Sequence, residues 1–529
     1  MILFKYLNIT IFNKNKISVF SKIIVQGENI MKNILHKIIQ MVFILLFLIV
    51  GLIIIFNNDK KYFIPTLFNN KILFLFGMLF IIIILILLKK CKIKISEKSI
   101  LIILSSILFL IEIIIMINAA FRSGWDVGML YDAAYLNIFN SPNKINFTTS
   151  KYYFEMYPNN VCFLLYEMFW AFSTKVIGKG PKTLSLILIL NNCIIYVVVG
   201  VLMYLCIKKL TKSCKISLLA WFMYFILIGT SSWFLIPYSD SLGLLFPTLV
   251  LFIYLYYQKN PYFKIFLISI ISFLGYQIKP QIIIIFIAII ILEAFNILNK
   301  DLLSKKNILK LSKKVLIICL SYFLISIPLS FTKNYIMELD QNKKIGLSHF
   351  LMMGLNVETS GKWSGEDISY SSSFLNQKSR TKGNLEVIKQ RLHNLGPLGL
   401  MKHLKNKTLV NFNDGTFYFG EEGSFYVYEY YDNKYSKLIK DFVYSNGKYY
   451  IYLSTVRQAI WLNILIFMLF SYGSKNKNVL IIQLSLIGLL IFETLFEARS
   501  RYLFIYVPYF IMLFSIGIKK IHSKVRGVN

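Results

Sequence analysis

"NNVCFLLYEMFWAFSTKVI", Asn159–Ile177, decides how the rest of the chain is threaded. It is oily enough to cross a bilayer, yet it carries Tyr166, Glu167 and Trp170 near its middle. Twelve other stretches are less ambiguous: 40–56, 72–88, 99–119, 183–206, 216–234, 239–257, 262–279, 281–298, 315–332, 456–472, 479–495 and 501–518. Most fall in the range of ~17–25 apolar residues that spans ~30 Å of hydrocarbon as a helix. Counting Asn159–Ile177 gives thirteen crossings, and leaving it out gives twelve.

The lysines separate the two readings. "KKCKIKISEK" (Lys89–Lys98), "KKLTKSCK" (Lys208–Lys215), "NKDLLSKKNILKLSKK" (Asn299–Lys314) and "KKIHSKVR" (Lys519–Arg526) are strongly basic. Short loops of that kind stay on the cytoplasmic side. An even number of crossings must then separate any two of them. Between the first two lie 99–119 and 183–206, so they share a side only if Asn159–Ile177 does not cross. That segment is expected to lie as an amphipathic helix on the outer membrane surface, with both termini cytoplasmic.

Composition agrees with a membrane protein. Of 529 residues 57% are hydrophobic, and mean hydropathy is +0.62. Backbone groups in lipid must be satisfied internally, and the long runs lack the alternation of a membrane β-barrel. The expected fold is an all-α polytopic membrane protein of about twelve transmembrane helices. The net charge of +33 sits in the loops and reads as orientation, not as a nucleic-acid surface. Membrane lipids are its expected neighbours, with anionic headgroups a further partner for the charge. Six cysteines form no CxxC pair or disulfide framework.

The chain divides accordingly. Residues 1–30 read as a non-native extension, because "MKNILHKIIQMVFILLF" from Met31 resembles a natural start. Two extra helices occupy 31–98. A core follows over 99–332, with its first outer loop at 120–182. An extracytoplasmic region covers 333–455, and 456–529 hold the last helices and basic tail. Within the outer region "NLEVIKQRLHNLGPLGLMKHLKN" (Asn384–Asn406) predicts a helix broken at Gly396-Pro397.

With twelve spans, four polar breaks fall at the outer face: "FRSGWDVGML" (Phe121–Leu130), "IPYSDSLG" (Ile236–Gly243), "YQIKPQ" (Tyr276–Gln281) and "FEARSRY" (Phe496–Tyr502). Asp126 can take a proton from a hydroxyl or help to hold a divalent cation, and a solvated loop acid is the plain alternative. Asp132 follows it by six residues. Asp240 reads either as part of a helix start, with Ser239 the expected cap, or as a substrate contact. Lys279 can snorkel to headgroups or meet a phosphate. Arg499 and Arg501 oppose the usual charge bias and offer bidentate phosphate recognition, with Arg122 a third contact. Their plain alternative is ion pairing to Glu493 and Glu497. Tyr157, Asn159 and Asn160 in "YPNN" suit sugar hydroxyls or a simple turn. Trp125 reads as an interfacial anchor. Glu112, inside a span, is a functional candidate or a paired bundle acid.

At these residues the chain resembles the GT-C fold of membrane glycosyltransferases, which use polyprenyl-phosphate sugars as donors. "GWDVG" matches the acid of that family's first large outer loop, "YSDSLG" its second outer acid, and "EARSRYL" an Arg-Tyr motif near the end. The layout is also similar to a multi-pass family of Gram-positive bacteria in which "GWD", "YPNN", "MMGL", "DGTF" and "RYL" stretches recur in this order. The resemblance covers most of the chain after residue 99. Two helices precede the presumed first core span, and the family's tandem Asp-Glu signature is missing.

The resemblance implies an enzyme that passes a sugar from a polyprenyl-phosphate donor to a cell-envelope glycan or glycolipid, with inversion, at the outer face of the bacterial cytoplasmic membrane. Asp126 would be the catalytic base. Lys279, Arg499, Arg501 and Arg122 would hold the donor phosphate. Asp132, Tyr157, Asn159, Asn160, Asp240 and Glu497 would contact substrate. No metal ligand set is assigned. A flippase or transporter is the alternative, although no inverted repeat is visible. A polymerase or ligase of lipid-linked glycans, taking a pyrophosphate donor, is another. An acyltransferase or protease needs an intramembrane His or a Ser/His pair, and all five histidines lie outside the twelve stretches given above.

Overall fold

A computed structural model describes residues 14–57, 59–62, 64–90, 95–139, 150–298, 305–474 and 476–525. Among them ten helices are long and apolar enough to cross a membrane: Ile34–Ile55, Asn70–Lys90, Glu97–Ala119, Pro181–Thr211, Ser239–Tyr256, Pro261–Ile278, Asn307–Ile336, Tyr450–Ser471, Lys477–Leu495 and Ser500–Ser523. Two shorter apolar helices, Cys214–Gly229 and Pro280–Phe295, occupy the two remaining expected spans. The molecule is an all-α polytopic membrane protein. Large side chains such as Leu45, Leu75, Leu110, Leu316 and Ile327 point outward along these helices, as lipid-facing positions do.

Asn159–Ile177 forms the helix Val161–Val176, of 16 residues. It is neither among the ten helices long and apolar enough to cross a membrane nor one of the two shorter apolar ones. It packs on the helices Trp125–Phe139 and Pro181–Thr211. Phe169, Phe172 and Val176 are exposed along one side. Glu167 is fully buried on the other, so its polar face meets protein and its bare face is apolar. Burial and the nearby Asp132 hold the Glu167 carboxyl well above the usual range.

Three of the four basic stretches meet at one end of the bundle. Lys208 pairs with Glu97 at 2.8 Å, and Lys215 donates to the Lys89 carbonyl at 3.1 Å. Lys519 donates to the Thr211 carbonyl, Lys520 to that of Tyr472, and Gly473 N to Gln40 Oε1 at 3.1 Å. The opposite end carries the large connection between Ile336 and Tyr450. Its long helix Gln377–Phe412 breaks at Gly396, whose φ of 55° and ψ of −177° precede Pro397, as the sequence predicts. A short antiparallel pair, β1 (Phe121–Ser123) with β2 (Tyr426–Glu429), ties this connection to the first break.

The helix Lys14–Ile55 runs through Met31 without interruption, and residues 1–13 of the expected extension lie outside the described residues. Five cysteines are free, and Cys91 lies outside the described residues.

Candidate functional site

All four polar breaks line or support one cavity of about 730 Å³ at the end away from the basic loops. That is within the ~300–1,000 Å³ common for small-molecule sites. Each break has a local cause. Beyond Ala119 the chain turns extended into β1, and Gly124 N donates to the Phe425 carbonyl at 2.9 Å. Trp125 then adopts a left-handed φ of 46° and starts the next helix, with Asp126 in its first turn. Pro280 cannot continue the helix Pro261–Ile278, so Lys279 is extended at φ −149°. The helix Lys477–Leu495 stops at Phe496, and Ala498 N donates to the Gly361 carbonyl at 2.7 Å.

Asp126 lines the cavity. Its Oδ2 accepts from the Tyr238 hydroxyl at 3.3 Å, and Tyr153 also bonds it. Asn160 Nδ2 donates to the Tyr153 hydroxyl at 2.6 Å, so "YPNN" reaches the acid through a phenol. Burial pushes the Asp126 carboxyl above its usual range, while the charges of Arg501 and Arg499 and the two phenols pull it down. Tyr157 and Asn159 line the same wall.

The cations form one network. Lys279 pairs with Asp240, and its Nζ lies 4.9 Å from the Tyr502 ring centre. Burial lowers the Lys279 ammonium and Asp240 opposes the shift. Arg499 Nη1 meets Glu422 Oε1 at 2.8 Å, and its Nε meets Glu497 Oε1 at 2.6 Å. Glu497 Oε2 accepts from the Tyr502 hydroxyl at 2.9 Å. Arg501 Nε meets Glu422 Oε2 at 3.1 Å and Asp240 Oδ2 at 3.6 Å. The Arg501 guanidinium lies 4.5 Å from the Trp125 ring centre and 5.3 Å from that of Tyr238, a cation–π cage. Its Nη1 has no hydrogen-bond partner among the described residues. Trp125 therefore holds an arginine here instead of acting as a lipid anchor.

Not every expected residue reaches the cavity. Arg122 and Asp132 pair with each other, and neither is in the lining. Asp132 sits six residues beyond Asp126 on the same helix, which at ~3.6 residues per turn turns it about 120° away. Asp240 stands behind the lining as the buried partner of Lys279 and Arg501. Ser239 is not a cap: Tyr238 occupies that position and forms no side-chain cap bond. The arginines pair with Glu497 as in the plain reading, but with Glu422 in place of Glu493. Glu112 and Glu493 are fully buried, with no hydrogen-bond partner at their carboxylate oxygens among the described residues.

Several supports were not visible in the sequence. Lys407 Nζ donates to three carbonyls, Gly354 at 3.0 Å, Thr494 at 2.9 Å and Phe496 at 2.5 Å. It thereby clamps "MMG" to the start of "FEARSRY". Burial pulls its ammonium down to about 8. A Cβ on Gly354 would lie 2.6 Å from the Leu495 carbonyl oxygen, so only glycine allows this approach. Lys407→Met is expected to leave these carbonyls unsatisfied and cost about 1–3 kcal/mol, read as a lower unfolding temperature in detergent.

The lining also includes Lys362, Glu421, His349 and Gln281. Its apolar side chains include Ile278, Leu347, Phe350, Met353, Phe492 and Phe496. No group of three or more His, Cys, Asp or Glu side chains suited to a metal ion occurs among the described residues.

A family model described as "Conserved hypothetical integral membrane protein" matches residues 23–522. No curated protein and no solved structure matches the chain.

Proposed function

The chain belongs to that family of conserved hypothetical integral membrane proteins, and from its site we propose that it is a glycosyltransferase of the GT-C type. It moves a sugar from a polyprenyl-phosphate donor to a cell-envelope glycan or glycolipid on the extracytoplasmic side of a bacterial cytoplasmic membrane. The observation that carries this reading is the convergence of Asp126, Lys279, Arg499 and Arg501 in one cavity that is also lined by apolar side chains. A donor of this kind needs a seat for one phosphate, room for a lipid tail and a base near the sugar.

Sidedness rests on the lysines. The cavity lies at the end of the bundle opposite the basic loops, which the charge bias assigns to the cytoplasm. In the reaction Asp126 accepts the proton of an acceptor hydroxyl as that oxygen bonds to the anomeric carbon. The bond from that carbon to the phosphate oxygen breaks, and the phosphate leaves as polyprenyl phosphate with inversion at carbon. Lys279, Arg499 and Arg501 hold the phosphate as its charge develops. A base whose pKa is raised towards the working pH is better matched to this task than an ordinary aspartate.

A ligase with a pyrophosphate donor would share the site. The test is reconstitution of the full chain in vesicles with labelled polyprenyl-phosphate sugar and an envelope extract. Release of polyprenyl phosphate coupled to a labelled acceptor is expected. Movement of intact donor between leaflets, with no label transferred, would instead mark a flippase.

A further inference from the structure

We propose that Glu422 occupies the seat of the donor's phosphate and must leave it before the donor can bind. The two oxygens of this one carboxylate face two different arginines, Oε1 on Arg499 Nη1 at 2.8 Å and Oε2 on Arg501 Nε at 3.1 Å. A tetrahedral phosphate bridging the same two guanidinium groups would place two of its oxygens where those carboxylate oxygens lie. The inference rests on reading the arginines as an anion seat.

Three acids touch these arginines, and their attachments differ. Glu497 is two residues from Arg499 in the chain and is also held by the Tyr502 hydroxyl at 2.9 Å. Asp240 is 1% exposed and is tied to Lys279. Both are fixed counter-ions. Glu422 comes from another segment, the short helix Phe419–Glu422, and lines the cavity. Its Oε2 makes no hydrogen bond of good geometry, although the ion pair is close.

The segment that carries Glu422 is strained where it is entered and open on one side, although Phe417 and Phe419 anchor it in the core. It is entered through Phe417 and Tyr418, at φ 54° and 68°, two consecutive left-handed residues that are not glycine. Such conformations cost ~1–3 kcal/mol each and persist only where the surroundings impose them. A Cβ on Gly420 would meet nothing within 4 Å, so that side of the helix faces open space. On its near side the segment is anchored by Asp414, which accepts from Thr416 N at 2.7 Å and Tyr418 N at 2.8 Å. Beyond Gly423 it joins β2, which is paired to β1 beside Asp126. Release of Glu422 would thus pull on the strand that precedes the base, linking entry of the phosphate to placement of Asp126.

The competition gives an unusual sign for removing a charged residue from a binding site. Charge-assisted bonds to a carboxylate are each worth roughly tenfold or more in affinity. Glu422→Gln or Glu422→Ala is therefore expected to bind polyprenyl monophosphate at least about tenfold more tightly than the native chain. The probe is fluorescent polyprenyl monophosphate titrated into the detergent-purified full chain, with each variant's unfolding temperature measured alongside. The amide variant keeps the shape of the side chain, and the alanine variant removes any residual bond. Equal or weaker binding by both folded variants would overturn the role of Glu422 alone. No binding by the native chain or either variant would overturn the anion seat as well.

Discussion

Asp126→Asn is expected to lower glycosyl transfer by about 10²–10⁴-fold while leaving the protein folded and able to bind the lipid phosphate. Asparagine has nearly the same shape and can still accept from the Tyr238 hydroxyl, which now bonds Oδ2 at 3.3 Å. What it lacks is an oxygen basic enough to take the acceptor's proton. On the proposed mechanism the native chain should also lose transfer on acidification at a higher pH than an ordinary aspartate would impose. Burial raises the Asp126 carboxyl, so protonation disables the base sooner as pH falls. Labelled-donor assays across pH check both points. Retention of full transfer by the asparagine variant would remove Asp126 from the mechanism.

The Lys279–Asp240 pair carries the second large effect. Asp240 is 1% exposed and Lys279 5%, so neither charge is compensated by water. Replacing either alone, as Lys279→Met or Asp240→Leu, is expected to cost about 3–5 kcal/mol, because the other charge stays buried without its partner. Replacing both should recover most of that stability, since well-packed apolar side chains often substitute for a buried ion pair. Transfer should not return with stability, because Lys279 also lines the cavity, where it is proposed to meet the donor phosphate. Unfolding temperature and transfer rate on the two single variants and the double variant separate these outcomes. Recovery of transfer by the double variant would reduce Lys279 to a counter-ion.

The bundle was legible because its signals are local. Apolar runs of membrane length and lysine-rich loops are written in consecutive residues, and Pro280 marks its own break. Refusing a crossing to Asn159–Ile177 placed four polar stretches at one end, where the structure brings them together. Side-chain direction was less visible. Arg122 and Asp132 are near Asp126 in sequence, but the turn of the helix carries Asp132 off and the two charges meet each other. Glu422 and Lys407 were missed for the opposite reason. Glu422 reaches arginines 77 and 79 positions further along the chain, and Lys407 reaches carbonyls up to 89 positions away. No periodicity reports contacts at that range. A pair of acids next to "DGTF" was the one available signal, and an acid can look equally at home in a solvated loop.

The most direct measurement is labelling of single cysteines by a membrane-impermeant maleimide, in a chain whose six native cysteines have been replaced. Trp363→Cys reports the cavity mouth, where Trp363 is exposed, and Lys212→Cys reports the basic end. The site described here predicts that intact cells label position 363 and that position 212 reacts only after permeabilisation. The reverse pattern, or reaction of both from the same side, would contradict an extracytoplasmic site of transfer.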